Sequence, residues 1–441
     1  MANKRFWLGI LVIALVFGTT IIGCDDSDDD SKKPEPGIPP YIPSVPDALT
    51  GIVTITGITT KGSVLTADTS SLGGSGTITY RWKKGDTQVA INTSIGTNSS
   101  TYTLTNSDLG KYIDVTVSRA DNSGSVSSGA TDQVDFPWIK ATTTLAAGGV
   151  QLNDVVYGNN QYVAVGSVAC VIYSADGQTW TSVGPLNTIF TNGTSSVSIK
   201  GIAYGDNKWI AVGERGKMAT SPNVISSSSW TEITSPFAAT TSINTVLYAG
   251  TIWIVGGDNG SMYYSSDGTT WTLVSGNPFG TSAVQSIAYN SGKWIAVGAN
   301  GKMFTSTTGT TWTSVNVTSL FTYTYGSSST VQTIKTVAYA NNKWIAAANA
   351  GGLMATSFDG SSWTAATGLS NSIIQSVAYG NSKWIAALGG GRTAISTDNG
   401  SNWVVIPNTI FSSDAINGIA FANNKWVAVG AGAKVAYAND N

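Results

Sequence analysis

One pattern is written seven times between residue 152 and the last residue, Asn441, and that repetition outranks any local reading of the chain. Each copy opens with a short apolar strand ending on an aromatic: Val155-Val156-Tyr157, Ile202-Ala203-Tyr204, Val246-Leu247-Tyr248, Ile287-Ala288-Tyr289, Val337-Ala338-Tyr339, Val377-Ala378-Tyr379 and Ile419-Ala420-Phe421. Five residues further on comes a second aromatic: Tyr162, Trp209, Trp253, Trp294, Trp344, Trp384 and Trp426. The Asn- and Gly-rich residues between them predict a hairpin. A second strand follows, such as Trp294-Ile295-Ala296-Val297-Gly298, then a third, then a turn and a Trp that opens a fourth. The first aromatics lie 47, 44, 41, 50, 40 and 42 residues apart, and four strands at this period make one propeller blade. The seventh copy reaches Asn441 after three strands. Its fourth is expected from Phe136-Pro137-Trp138-Ile139-Lys140, so that residues 136–142 close the ring. Residues 135–441 are therefore expected to form a seven-bladed β-propeller without free sheet edges.

The turn before the fourth strand has its own signature. It reads Ser174-Ala175-Asp176-Gly177-Gln178-Thr179-Trp180, Ser265-Ser266-Asp267-Gly268-Thr269-Thr270-Trp271, Ser357-Phe358-Asp359-Gly360-Ser361-Ser362-Trp363 and Ser396-Thr397-Asp398-Asn399-Gly400-Ser401-Asn402-Trp403. Trp230 and Trp312 keep the Trp in copies that lack the Asp. These segments resemble the Asp-box, or bacterial neuraminidase repeat. The resemblance implies a sialidase-like propeller in which Asp176, Asp267, Asp359 and Asp398 are structural turn formers rather than catalysts. Sialidases gather an arginine cluster on the substrate carboxylate. The propeller segment carries only Arg215 and Arg392, which argues against that activity.

Composition removes most other chemistry. With no His, Ser-His-Asp and Cys-His catalysis are excluded, and two Cys cannot build a thiolate zinc site. No metal and no cofactor are expected. A formal net charge of −2 argues against nucleic acid as a partner.

The first residues address the compartment. Lys4 and Arg5 precede an apolar run from Phe6 to Ile22, and Ile21-Ile22-Gly23-Cys24 resembles a bacterial lipobox. The resemblance implies cleavage after Gly23 (residues 1–23 a signal peptide), lipidation of Cys24 including palmitate-type acylation, and a membrane-anchored envelope protein. The acidic run from Asp25 and the Pro-rich stretch to Pro46 predict an extended tether over 24–48. Residues 49–134 alternate in strand fashion, with Trp82 as a core candidate and Asp108-x-Gly110-x-Tyr112 about 30 residues later. This segment resembles the immunoglobulin-like β-sandwiches of bacterial surface proteins. Alternation places Ile113, Val115 and Val117 on one face and Tyr112 with Asp114 on the other, so the usual Tyr-x-Cys register is missing. Its role is left between spacer and binding module.

The whole chain is thus expected to be all-β, an immunoglobulin-like sandwich followed by a seven-bladed propeller, and monomeric. Turns after the second strands share one face with the connectors between blades. That face carries Glu214, Arg215, Asp258 and Arg392, the connector residues Phe190, Phe237, Phe279, Phe321 and Phe411, and Tyr323 and Tyr325 in the longest connector. The recurrent Phe are read as packing between blades. Tyr323 and Tyr325 break the pattern and, with Glu214, Arg215, Asp258 and Arg392, form the candidate binding set. Glu214, Asp258, Asp154 and Asp414 could instead supply two carboxylates to a polysaccharide-acting glycoside hydrolase. The leading expectation is a non-enzymatic, surface-anchored protein that binds a glycan or protein, with an envelope assembly scaffold as a further alternative. Three features carry no chemistry: Met218, Met262, Met303 and Met354 are core filler, Cys170 is an inert thiol, and Lys208, Lys293, Lys343, Lys383 and Lys425 are solvated turn residues.

Overall fold

The computed structural model describes residues 45–145, 149–408 and 410–440. The expected signal peptide, Cys24 and the expected tether as far as residue 44 lie outside the described residues. The chain divides into Met1–Val45 and Pro46–Asn441, and everything below concerns the second unit. Among the described residues no helix is long and apolar enough to cross a membrane. The molecule is all-β.

Two antiparallel sheets form its first part. One orders Thr54–Thr56, Val64–Asp68 and Thr101–Thr103; the other orders Ile91–Ile95, Ile78–Gly85, Tyr112–Arg119 and Val126–Ser127. Strand alternation explains the core, because Ile113, Val115 and Val117 are fully buried beside Trp82 and Leu65. Trp82 donates its indole N–H to the Ser99 carbonyl at 2.8 Å, which satisfies its only polar atom. Asp108 is buried as well. Burial alone would raise its pKa, but the Lys84 ammonium, the Thr105 amide and the Tyr102 hydroxyl outweigh that and hold it below the usual carboxylate value.

Among the described residues, seven larger sheets share one plan: an innermost strand, two further antiparallel strands and a short outer one. The innermost strands are Leu152–Gly158, Ile199–Gly205, Ile243–Ala249, Val284–Asn290, Ile334–Ala340, Ile374–Gly380 and Ile416–Ala422. Each lies beside the next, and the last lies beside the first, so the sheets surround a common axis as a β-propeller. The aromatic closing each innermost strand is paired in register with the aromatic opening the second, as in Tyr289 with Trp294 and Tyr379 with Trp384. Their ring centroids lie 4.6 and 5.2 Å apart, within the range for favourable tilted stacking. In the seventh sheet the outer strand is Ile139–Lys140, paired antiparallel with Val435–Asn439. The chain then adds Thr142–Thr143 in parallel to Thr179–Ser182 of the first sheet, so one stretch spans the seam.

The Ser-x-Asp turns are held by their own side chains. Asp359 Oδ1 accepts from the Ser361 and Ser362 amides, each at 2.8 Å, and Ser357 Oγ accepts from the Gly360 amide at 2.8 Å. These donors draw the Asp359 pKa far below its ordinary value. The Trp180, Trp312, Trp363 and Trp403 indoles each donate to the carbonyl of their own turn glycine. In the Trp312 copy, which lacks the Asp, Thr308 Oγ1 accepts from the Thr310 and Thr311 amides in its place.

The lysines before the second strands differ from the sequence expectation. Only Lys343 and Lys383 are buried, while Lys208, Lys293 and Lys425 stay partly exposed, and all five latch their sheet to the next. Lys208 Nζ donates to the Asp267 carbonyl at 2.8 Å, Lys293 to the Asp359 carbonyl, and Lys425 to the Asp176 carbonyl across the seam. Lys343 reaches Ser401, and Lys383 pairs with Asp440. A main-chain oxygen of a tight turn leaves no sequence mark, so this partner could not be read from spacing. Phe190, Phe279, Phe321 and Phe411 are fully buried and Phe237 nearly so, which removes them as exposed contacts. A methyl group at Gly298 would come within 3.0 Å of Phe279 Cε1, so ring and glycine occupy one another's space. Met218, Met262, Met303 and Met354 are buried. Burial pushes the Cys170 thiol up to about 11.

The two-sheet first part is fixed to the propeller. Lys61 Nζ meets Asp440 Oδ1 at 2.6 Å, while Lys383 and the Trp426 indole hold Oδ2. Burial would raise Asp440, but Lys383, Lys61 and Trp426 overcome it and keep the carboxyl below its usual value. Gly110 lies against Val404 so closely that a Cβ would overlap it. Asp440 and the Asp398 turn lie at the end of the ring opposite to where the innermost strands begin.

Candidate axial binding site

The start of each innermost strand is bulged. Pairing with the second strand slips between Leu152 and Asp154, Ile199 and Gly201, Ile243 and Thr245, Val284 and Ser286, Ile334 and Thr336, Ile374 and Ser376, and Ile416 and Gly418. A bulge leaves one residue out of the ladder and re-aims its side chain. Here the extra residues are Asn153, Lys200, Asn244, Gln285, Lys335, Gln375 and Asn417, every one of them polar and half-buried. All seven line a cavity of about 410 Å³ at the mouth of the axis, together with Gln151, Ser198, Glu214 and Asp258. The same seven continue into a deeper space of about 270 Å³ that contains Asp154.

The ring is stitched by its amides. Asn153 Nδ2 donates to the Ile199 carbonyl at 2.7 Å, Asn244 Nδ2 to Val284 at 3.0 Å, and Asn417 Nδ2 to Leu152 at 2.8 Å, each reaching the next sheet. Lys200 Nζ donates to Asn244 Oδ1 at 3.3 Å and Lys335 Nζ to Gln285 Oε1 at 3.0 Å. Burial, then the Lys200 charge, pushes the Lys335 ammonium below its usual pKa, against the pull of Asp154.

The carboxylates are already engaged. Asp154 accepts from the Val155 amide at 2.8 Å and the Ile202 amide at 3.1 Å; burial nevertheless outweighs these and Lys335, raising its pKa to about 6. Glu214 Oε2 accepts from the Ser198 amide at 3.1 Å, and Asp258 Oδ1 from Asn244 Nδ2 at 3.0 Å. Asp414 is paired with Lys434 at 2.8 Å.

Of the six residues singled out from sequence, Glu214 and Asp258 share the mouth. Arg215 does not line it; it is exposed, at φ 58°, over a separate depression with Lys217, Glu232 and Phe237. Arg392 is exposed at the start of the third strand of the sixth sheet. Tyr323 and Tyr325 stand on an extra hairpin, Thr322–Tyr325 with Ser328–Val331. Tyr323 packs over Gly351 and donates its hydroxyl to Asn371 Oδ1 at 2.9 Å, while Tyr325 is 80% exposed. Lys200, Lys335 and the amide ring were missed by sequence reasoning. Their signal was the polar residue that follows the first apolar residue of every innermost strand.

Comparison with known proteins places the fold. The model of the DUF6242 β-propeller domain matches residues 226–334. No curated protein sequence matches the chain. Among solved structures, YCF48 bound to D1 peptide is similar at 17% identity and TM-score 0.54, over 69% of this chain and 96% of that one. YCF48 from Cyanidioschyzon merolae is similar at 16% and 0.51, over 69% and 98%. A catalytically inactive virginiamycin B lyase from Staphylococcus aureus, with quinupristin, is similar at 10% and 0.56, over 68% and 98%. At these identities the likeness concerns the β-propeller fold alone.

Proposed function

We propose that this is a lipid-anchored bacterial envelope protein whose sialidase-like, seven-bladed Asp-box propeller binds a partner at its axial mouth, without catalysing a reaction. The observation that carries this reading is the ring of seven bulged polar residues around one cavity. Bulging seven strands at the same residue points seven hydrogen-bonding groups at one space, which suits recognition. The propeller fold itself points to a binding or scaffold role. A polysaccharide-acting hydrolase is less well supported, because Asp154, Glu214 and Asp258 each already accept hydrogen bonds from amide N–H groups. The immunoglobulin-like sandwich serves as a fixed stalk, and a short Lys61–Asp440 contact is what supports that role. Because the sandwich meets the opposite end of the ring, the mouth opens away from it. A solved neighbour of the same fold, YCF48, is described as bound to a D1 peptide. That lends weight to a protein segment over a glycan as the occupant here.

Immobilised full-length chain in detergent, probed with a glycan array and with extracts of bacterial envelopes, tests the reading. Retained material is expected to be lost on Asn153→Ala combined with Asn417→Ala and kept on Tyr325→Ala. Metabolic labelling with palmitate is expected to vanish in Cys24→Ser. Binding that ignores the mouth substitutions would move the site elsewhere, and labelling that persists in Cys24→Ser would remove the anchor.

A further inference from the structure

Three asparagines show what the ring needs at its bulges. Asn153, Asn244 and Asn417 bridge to the carbonyl of the next sheet with a neutral amide. At the same position in two other sheets the chain places Lys200 and Lys335. Lysine is costly there: burial and the neighbouring Lys200 charge both work against the Lys335 ammonium. Closing the ring does not require that cost.

The distribution of partners is unequal. Each carboxylate at the mouth is met by amide N–H donors, whereas the two ammonium groups meet neutral amide oxygens only. Among the described residues neither lysine has a carboxylate within ion-pairing distance. An ammonium carries three donors, so each lysine keeps donors unspent in a half-buried cavity. Gln285 and Gln375 add amide groups to the same wall. The mouth thus holds two ammonium groups with unspent donors beside carboxylates whose own bonds go to amide N–H groups.

We propose, building on the mouth as the binding site, that it receives a carboxylate-bearing peptide segment, with Lys200 and Lys335 as its anion-holding pair. Charge-assisted hydrogen bonds from both lysines take the carboxylate, and the flanking amides pair with peptide groups on either side. No aromatic ring lines the outer cavity, and Tyr204 and Tyr248 line only the deeper space, so the outer wall offers hydrogen bonds rather than a stacking platform and favours a peptide. Glu214 and Asp258 on the rim repel further negative charge, so one acidic group among neutral neighbours fits better than an acidic run. The carboxylate can come from a Glu or Asp side chain or from a chain terminus.

Surface plasmon resonance on immobilised full chain in detergent separates these sources. The probes are end-blocked heptapeptides Ser-Gly-Ser-X-Ser-Gly-Ser with X as Glu, Gln or Lys, and an X = Ser peptide with a free terminal carboxylate. We expect the Glu peptide, the free-carboxylate peptide, or both to bind about tenfold more tightly than the Gln peptide, the size of one charge-assisted hydrogen bond. Lys200→Gln with Lys335→Gln should abolish that preference, Lys335→Arg should keep it, and Lys140→Gln, at an exposed site away from the mouth, should leave it unchanged. The double variant removes a repulsion, so it is expected to fold, which its circular dichroism and melting temperature check. Equal binding of Glu and Gln peptides overturns the proposal. If Asn417→Ala still weakens both, the mouth reading survives that failure. Failure of every peptide to bind overturns the proposal as well, leaving the mouth to the glycan array.

Discussion

At the scale of the residue, Asp154 is the sharpest case. Burial lifts its pKa from 3.8 to about 6, so the folded chain holds a proton that the unfolded chain releases between about pH 4 and pH 6. Stability contributed through this group therefore falls as pH rises through that window. Asp135, also raised to about 6 by burial, acts in the same direction. Replacing Asp154 with Asn removes its share: relative to the parent, the variant should gain up to about 3 kcal/mol between pH 4 and pH 7. A ¹³C-carboxyl titration of Asp154 should have its midpoint near 6. A midpoint near 4, or parallel stability curves for parent and variant, would sink the assignment. Asp154 was visible in the sequence only as a carboxylate close to an innermost strand. Lys200 and Lys335 left only the recurring polar residue as a signal, because strand alternation says which face a residue takes but not that a bulge turns it into an axial cavity. Glu214 and Asp258 were legible because both open the turn after a second strand, and equivalent turns of neighbouring sheets share one end of the ring.

Single elements divide the same way. The Ser-x-Asp turns were legible, since their side chains bond amides two and three residues away, and such local geometry follows from spacing. Ser357 is buried and its Oγ caps the Gly360 amide, so Ser357→Ala leaves a buried N–H unmet. Urea unfolding should show a loss of about 1–3 kcal/mol; a change below a few tenths would mean the turn is held by the chain around it. Contacts between elements were less legible. Three of the lysine latches end on main-chain oxygens of another sheet, and the Thr322–Tyr325 hairpin grew inside a connector whose tyrosines looked like free contacts. Tyr323 is instead a strut to Asn371. A pattern of residue types cannot distinguish a side chain that waits for a ligand from one that props a loop.

For the whole molecule, repetition dictated the architecture more firmly than any propensity could. Near-equal sheets set around one axis bury both faces against their neighbours, and the paired aromatics at 4.6–5.2 Å repeat the same solution around the ring. The seam depends on few residues, with Tyr437 opposite Ile139 and Ala436 opposite Lys140. Deleting residues 136–142 should expose the Val435–Asn439 edge and yield aggregates in size-exclusion chromatography. A monomeric deletion variant with a single cooperative melt would show that the ring closes without that strand. The seam also has a history in time. Chains are made from the amino end, so Ile139–Lys140 leaves the ribosome before six complete sheets and most of the seventh have been translated. Throughout that interval it must wait without its partner, and the ring cannot shut until its last strand arrives. Synthesis itself thus becomes the period of greatest exposure for this protein, and a chain stopped even a few residues early would remain in that vulnerable state.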